Sequence, residues 1–172
     1  MPQSKGTKLD CHSDGLLMQQ TTNKYVAELD LHAVNSKIYS QTTFSAKVDI
    51  IFQNRADHAT IAGLLIQTPV APNVYGGYYL GIKSSGYWAL TRADNGMPLA
   101  NGIAGVDPTK PITIGIMVEH GTLIGNINGH EVVTYDDSNA STQSTVLGLI
   151  VWRNNAKQSS QVLFSNFELD TQ

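Results

Sequence analysis

A single cysteine, Cys11, in 172 residues excludes an internal disulfide. It leaves the compartment open, because few disulfides suit cytosolic proteins and many bacterial secreted ones alike. Charge is scarce as well: Asp, Glu, Lys and Arg together make up 15% of the chain, against roughly a quarter in ordinary globular domains. There is no run of basic residues and the formal net charge is −3. The electrostatic footprint needed for nucleic acid or an anionic membrane surface is therefore missing. No window approaches the roughly 18 consecutive apolar residues of a membrane span, and the opening MPQSKGTKLDCHSDG lacks the apolar centre of a secretory leader. That predicts a cytoplasmic protein or, where a leader has been removed, an extracellular or cell-surface one. His12, His32, His58, His120 and His130 are scattered, with no His-Glu-x-x-His, no cysteine pairs and no glycine-rich phosphate loop. No internal repeat suggests a propeller or β-helix.

What the chain does have is period-two alternation. In Ile112-Thr113-Ile114-Gly115-Ile116-Met117-Val118-Glu119 the branched residues fall on one face of a strand, and Thr113, Gly115, Met117 and Glu119 on the other. His120-Gly121 supplies a turn, Leu123, Gly125 and Ile127 alternate through a second strand, and Asn128-Gly129 is the pair favoured by a two-residue type I′ hairpin. Glu131 to Tyr135 returns. This predicts a three-stranded antiparallel meander, and β-branched residues at period two between glycine turns rule out a helix.

Further strands follow from the same reasoning. Gly15 to Gln19, Tyr25 to His32, Phe44 to Phe52, Ile61 to Ile66, Tyr78 to Lys83, Tyr87 to Arg92, Val146 to Arg153 and Gln161 to Leu169 all carry strand signals, with Ile38 to Ser40 as a short link. In Phe44 to Phe52, Phe44, Ala46, Val48, Ile50 and Phe52 face the core, whereas Ser45, Lys47 and Asp49 face water or a shallow groove. Ser84-Ser85-Gly86 closes one hairpin and Asp94-Asn95-Gly96 makes a turn beyond it. Thr68 to Gly77 and Met97 to Lys110, rich in Pro and Gly, are expected to be long loops. Ten or eleven strands without a helix give an all-β fold, and so large an antiparallel set is expected to split into two packed sheets, a β-sandwich. Residues 1–172 are expected to form one domain, with 1–15 as a flexible lead-in.

The order of these segments resembles a known superfamily. Phe44-x-Ala46-x-Val48, Ala62-Gly63-Leu64-Leu65, Tyr78-Tyr79-Leu80-Gly81-Ile82, Gly86-Tyr87-Trp88-Ala89-Leu90 with Arg92, Asn126-Ile127-Asn128-Gly129, Leu147-Gly148-Leu149 and Val162 to Leu169 together are similar to the concanavalin A-like lectin/glucanase sandwiches. More narrowly, they resemble bacterial laminin-G-like and glucan-binding-like domains. The resemblance implies a jelly roll of two curved sheets holding a glycan on its concave face or rim loops. The function expected of such a chain is that of a lectin-like, non-catalytic carbohydrate-binding module. Glu28-Leu29-Asp30-Leu31-His32-Ala33 superficially resembles the Glu-x-Asp-x-x-Glu strand of family 16 glycoside hydrolases. Here, however, the acid/base position is His32 or Ala33, and a retaining glycosidase needs two carboxyl groups about 5 Å apart.

Sugars are gripped by aromatic faces, with amide, carboxylate and guanidinium groups fixing hydroxyls. The residues with that chemistry are Tyr75, Tyr78, Tyr79, Tyr87, Trp88, Arg92, Trp152 and Arg153. Alternation places Tyr87, Ala89 and Thr91 on one face and Trp88, Leu90 and Arg92 on the other, so Trp88 and Leu90 also suit the core. A structural calcium ion is a further expectation, with Asp136, Asp137 and Asp170 as candidate ligands and Asp10 and Asp14 as additional oxygens. Asn139-Ala140-Ser141 matches the glycosylation acceptor pattern. The alternative to carbohydrate binding is a protein-interaction or structural sandwich that uses its sheet edges.

Overall fold

The computed structural model describes residues 7–20, 26–31, 43–53, 59–71, 74–137, 146–153 and 160–171. The expected link Ile38 to Ser40, His32 and Asn139 to Ser141 lie outside these residues. The described strands are β1 (Thr7–His12), β2 (Gly15–Gln20), β3 (Val26–Leu31), β4 (Thr43–Phe52), β5 (Thr60–Ala71), β6 (Val74–Ile82) and β7 (Tyr87–Arg92). They continue with β8 (Pro98–Ile103), β9 (Ile112–Glu119), β10 (Thr122–Ile127), β11 (His130–Asp136), β12 (Val146–Arg153) and β13 (Ser160–Thr171). They pair into a seven-stranded sheet A, ordered β1-β2-β13-β4-β9-β10-β11, and a six-stranded sheet B, ordered β3-β12-β5-β6-β7-β8. All pairings are antiparallel. The molecule is the two-sheet sandwich that the alternation predicts.

The core is built by the residues whose parity demanded it. Phe44, Ala46, Val48, Ile50 and Phe52 of β4 and Ile112, Ile114, Ile116 and Val118 of β9 are buried against Leu64, Leu80, Ile82 and Leu90 of sheet B. Each fully buried branched side chain of this kind stabilises the fold by roughly 2 kcal/mol. The meander forms as expected: His120 and Gly121 have φ of 49° and 89°, Asn128 and Gly129 of 50° and 77°. Positive φ at both central residues is the type I′ geometry, which matches the twist of the flanking strands.

The structure corrects two expected loops. Thr68 to Gly77 is mostly strand, since β5 runs on to Ala71 and β6 begins at Val74. Pro69 is accommodated beside a register irregularity between Pro69 and Ala71, and among the described residues the pairing of β5 with β12 ends before it, at Gln67. Met97 to Lys110 contains β8, an edge strand paired to β7. Its parity is hidden because Gly102 faces the core: a side chain there would meet the Trp88 ring at 3.0 Å. Ile103, on the other parity, is 73% exposed. Strand β1, which the alternation does not reveal, pairs with β2 along its whole length.

Candidate ligand-binding groove

The outer face of sheet A carries an open groove of about 370 Å³ across β13, β4, β9 and β10. Its geometry follows from register. Glu168 of β13 stands opposite Lys47 of β4, Lys47 opposite Gly115 of β9, and Gly115 opposite Asn126 of β10. In the neighbouring line Asp170 stands opposite Ser45 and Ser45 opposite Met117. Glycine at 115 leaves a gap between the longer side chains on either side. A Cβ built there would find its nearest atoms, Ala46 O, Lys47 Cβ and Asn126 Cβ, at 3.6, 3.7 and 3.8 Å, so the space above it is open. The φ of Gly115 is not positive, so the backbone does not require glycine. The gap is a property of the surface.

One wall is held by the Lys47 Nζ–Glu168 Oε2 ion pair at 2.9 Å. Thr113 forms the near end, where its hydroxyl donates to Asp49 Oδ1 at 2.5 Å and its backbone N–H to Asn128 Oδ1 at 2.9 Å. Asn166 donates to the second Asp49 oxygen at 2.8 Å. Asn166 sits in a bulge where β13 slips against β4 between Ser165 and Glu168, with φ of 50°. The bulge reverses the parity of β13: Val162 and Phe164 face the core before it, and Glu168 and Asp170 face the groove after it. Chemically, the groove combines the apolar Met117 and the Gly115 floor with two carboxylates, an ammonium, an amide and two hydroxyls.

Among the described side chains, the aromatic residues singled out in the sequence are divided between the core and the outer face of sheet B. Trp88 is core, and Tyr78 is buried with its ring centroid 5.9 Å from that of Tyr135. Tyr79 lies on the opposite parity with Leu65 and Ile150 in a small buried cluster on sheet B. Burial pushes its phenol above the usual tyrosine range, and a hydrogen bond with Thr91 offsets part of this. Tyr87 and Trp152 are partly exposed, and Lys83 Nζ lies 5.0 Å from the Tyr87 ring centroid. Arg92 makes a two-point contact with Asp94, Nε to Oδ1 at 3.1 Å and Nη2 to Oδ2 at 2.8 Å. That pairing raises the guanidinium pKa and lowers the carboxyl one. Tyr75 and Arg153 are placed by backbone alone, opposite Pro69 and Thr60.

The candidate calcium ligands are also separated. Asp136, which accepts from Thr122 Oγ1 at 2.9 Å, ends the edge strand β11. Asp170 is on β13, four strand spacings away in the sheet order, about 19 Å at the usual spacing. Among the described residues no group of three or more metal-ligating side chains converges. Of the three aspartates, only Asp170 lines the groove. The signal that could have found the groove was present: Ser45, Lys47 and Asp49 on one parity of β4 and Thr113, Gly115 and Met117 on one parity of β9. What sequence lacks is the strand order that sets β13 beside them.

The fold so defined is the concanavalin A-like jelly roll. A carbohydrate-binding module, CBM66 from Bacillus subtilis, superposes with a TM-score of 0.68 over 96% of this chain and 92% of that one, at 14% identity. A family 7 alginate lyase, A1-II′, in complex with substrate superposes with a TM-score of 0.70 over 98% of this chain and 82% of that one, again at 14% identity. A sialidase matches with a TM-score of 0.63 and 9% identity over 98% of this chain, which spans 16% of that protein. No protein-family model matches the sequence, and no curated protein is significantly similar to it. The fold is thus one shared by a carbohydrate-binding module and by polysaccharide lyases.

Proposed function

We propose that the chain is a non-catalytic carbohydrate-binding module that seats a sugar unit in the groove over Gly115. The observation that carries this reading is the groove itself. An apolar strip at Met117 and Gly115 suits the C–H face of a pyranose, and Ser45, Lys47, Asn126 and Asp170 surround it with donors and acceptors for hydroxyls. The likeness to CBM66 agrees with a module of this kind. Binding is favoured over hydrolysis because the two groove carboxylates, Glu168 and Asp170, both come from β13. They stand on one wall, whereas glycosidic cleavage uses carboxyl groups flanking the bond.

The test is calorimetric titration of the purified chain with neutral oligosaccharides, followed by prolonged incubation and analysis for products. Dissociation constants between about 1 mM and 1 μM, with no products, support the reading. Cleavage would turn it into a catalyst. Titration of Gly115→Phe locates the site, because the ring would occupy the groove. A second reading, a protein-binding sandwich, is favoured by β8, whose flank exposes Met97 at 60% and Ile103 at 73% on an edge strand able to pair with another chain.

A further inference from the structure

The groove that the preceding reading assigns to sugar carries unbalanced charge. Among the described residues three charged side chains line it, Lys47, Glu168 and Asp170. Lys47 and Glu168 neutralise each other at 2.9 Å. Asp170 is exposed and, among the described residues, has no ion-pair or side-chain hydrogen-bond partner. Asp49, one step along the same face of β4 from Lys47, adds a second carboxylate whose partners, Thr113 and Asn166, are neutral. Among the described residues the only cation lining the groove, Lys47, is already committed, and the uncommitted formal charge is negative.

Resting on that reading, we infer that the groove discriminates among sugars by charge: it takes an amino sugar with a protonated amine ahead of its neutral counterpart, and rejects uronic acids. A hexosamine ammonium beside Asp170 gains a charge-assisted hydrogen bond. A uronate in the same position meets an unpaired carboxylate and, among the described lining residues, no free ammonium or guanidinium to receive it. To bind, it would have to displace Glu168 from Lys47 and leave that carboxylate unpaired as well.

The experiment compares oligomers of equal length: β-1,4-linked glucosamine, the same chain N-acetylated, and an oligouronate. Each is titrated into the full chain, into Asp170→Asn and into Gly115→Phe, with thermal melts to verify folding. The expected preference for the amine over the acetylated oligomer is about fivefold at low salt, the size of a partly exposed ion pair. It falls toward unity in Asp170→Asn and in high salt, where screening removes it. Oligouronates bind at least about tenfold more weakly than the amine. An oligouronate that binds as tightly as the amine, or an amine preference that survives in Asp170→Asn, overturns the inference. If acetylated oligomers bind and are lost in Gly115→Phe while the amine brings no gain, only the charge selectivity falls. If Gly115→Phe leaves all binding intact, the groove is not the site and both readings fall together.

Discussion

Asn166 donates its side-chain amide to Asp49 Oδ2 at 2.8 Å, joining residues 117 positions apart in sequence. Because Thr113 holds the other Asp49 oxygen, one carboxylate ties together the β13 bulge, β4 and β9. Asp49→Ala removes the acceptor for two donors at once and is expected to cost about 1–3 kcal/mol. Urea unfolding of Asp49→Ala, Asn166→Ala and the double variant would measure the coupling between the pair. Strictly additive losses would mean that the amide–carboxylate contact contributes nothing.

Gly115 offers a cleaner perturbation. Its Cβ direction is open and its φ unrestricted, so Gly115→Phe adds a residue of higher strand propensity with no clash against the backbone. The melting temperature is expected to hold or rise slightly, while affinity for a bound oligosaccharide falls at least about tenfold. A fall in stability without a fall in affinity would contradict both halves of the expectation.

Arg92 and Asp94 give a signed pH effect. The guanidinium lowers the Asp94 pKa in the folded state, so the folded protein binds that proton less readily than the unfolded chain. The pair's contribution is present above the ordinary Asp pKa and is lost as pH falls through the depressed one. Asp94→Asn is expected to melt slightly below the parent at neutral pH, with the gap closing in acid. Because the pair is exposed, the gap is small and shrinks in salt. A gap that widens in acid would reverse the sign.

Tyr79 acts at the other end of the scale. Burial is the larger influence on its phenol and raises the pKa, with Thr91 acting in the opposite direction. The stability this represents is intact below the ordinary tyrosine pKa of about 10 and is lost as pH rises through the raised folded value. Ultraviolet titration should show one phenol ionising late, and Tyr79→Phe should remove that step. A late step that persists in the variant would assign it to another tyrosine.

How far the sequence reveals all this depends on where each residue sits. Strand β4 and the β9-β10-β11 meander were legible because one parity is buried branched or aromatic residues and the hairpins carry Asn128-Gly129 and His120-Gly121. Strand β8 was not, because Trp88 fills the space over Gly102 and leaves Ile103 outside. The continuation of β5 past Pro69 was hidden by a residue that normally breaks strands. In the groove, each of Lys47, Gly115, Asn126, Glu168 and Asp170 looks like an ordinary outward residue. Only the pairing of β13 with β4, joining segments more than a hundred residues apart, assembles them. The aromatics attracted attention for their chemistry, but parity divides them between the core-facing and outer faces of sheet B.

Strand β13 pairs with β2 on one side and β4 on the other, and so among the described strands is the only link between the β1-β2 hairpin and the remainder of sheet A. During synthesis the hairpin and β4 leave the ribosome before most of the other strands described, while the strand that must lie between them follows all of those. Until it arrives, β2 and β4 each expose an unsatisfied edge. The groove, one wall of which is β13, is consequently among the last features of this sandwich to form. A nascent chain stalled before Ser160 could complete much of sheet B and the meander, yet would present two open edges to any neighbouring strand.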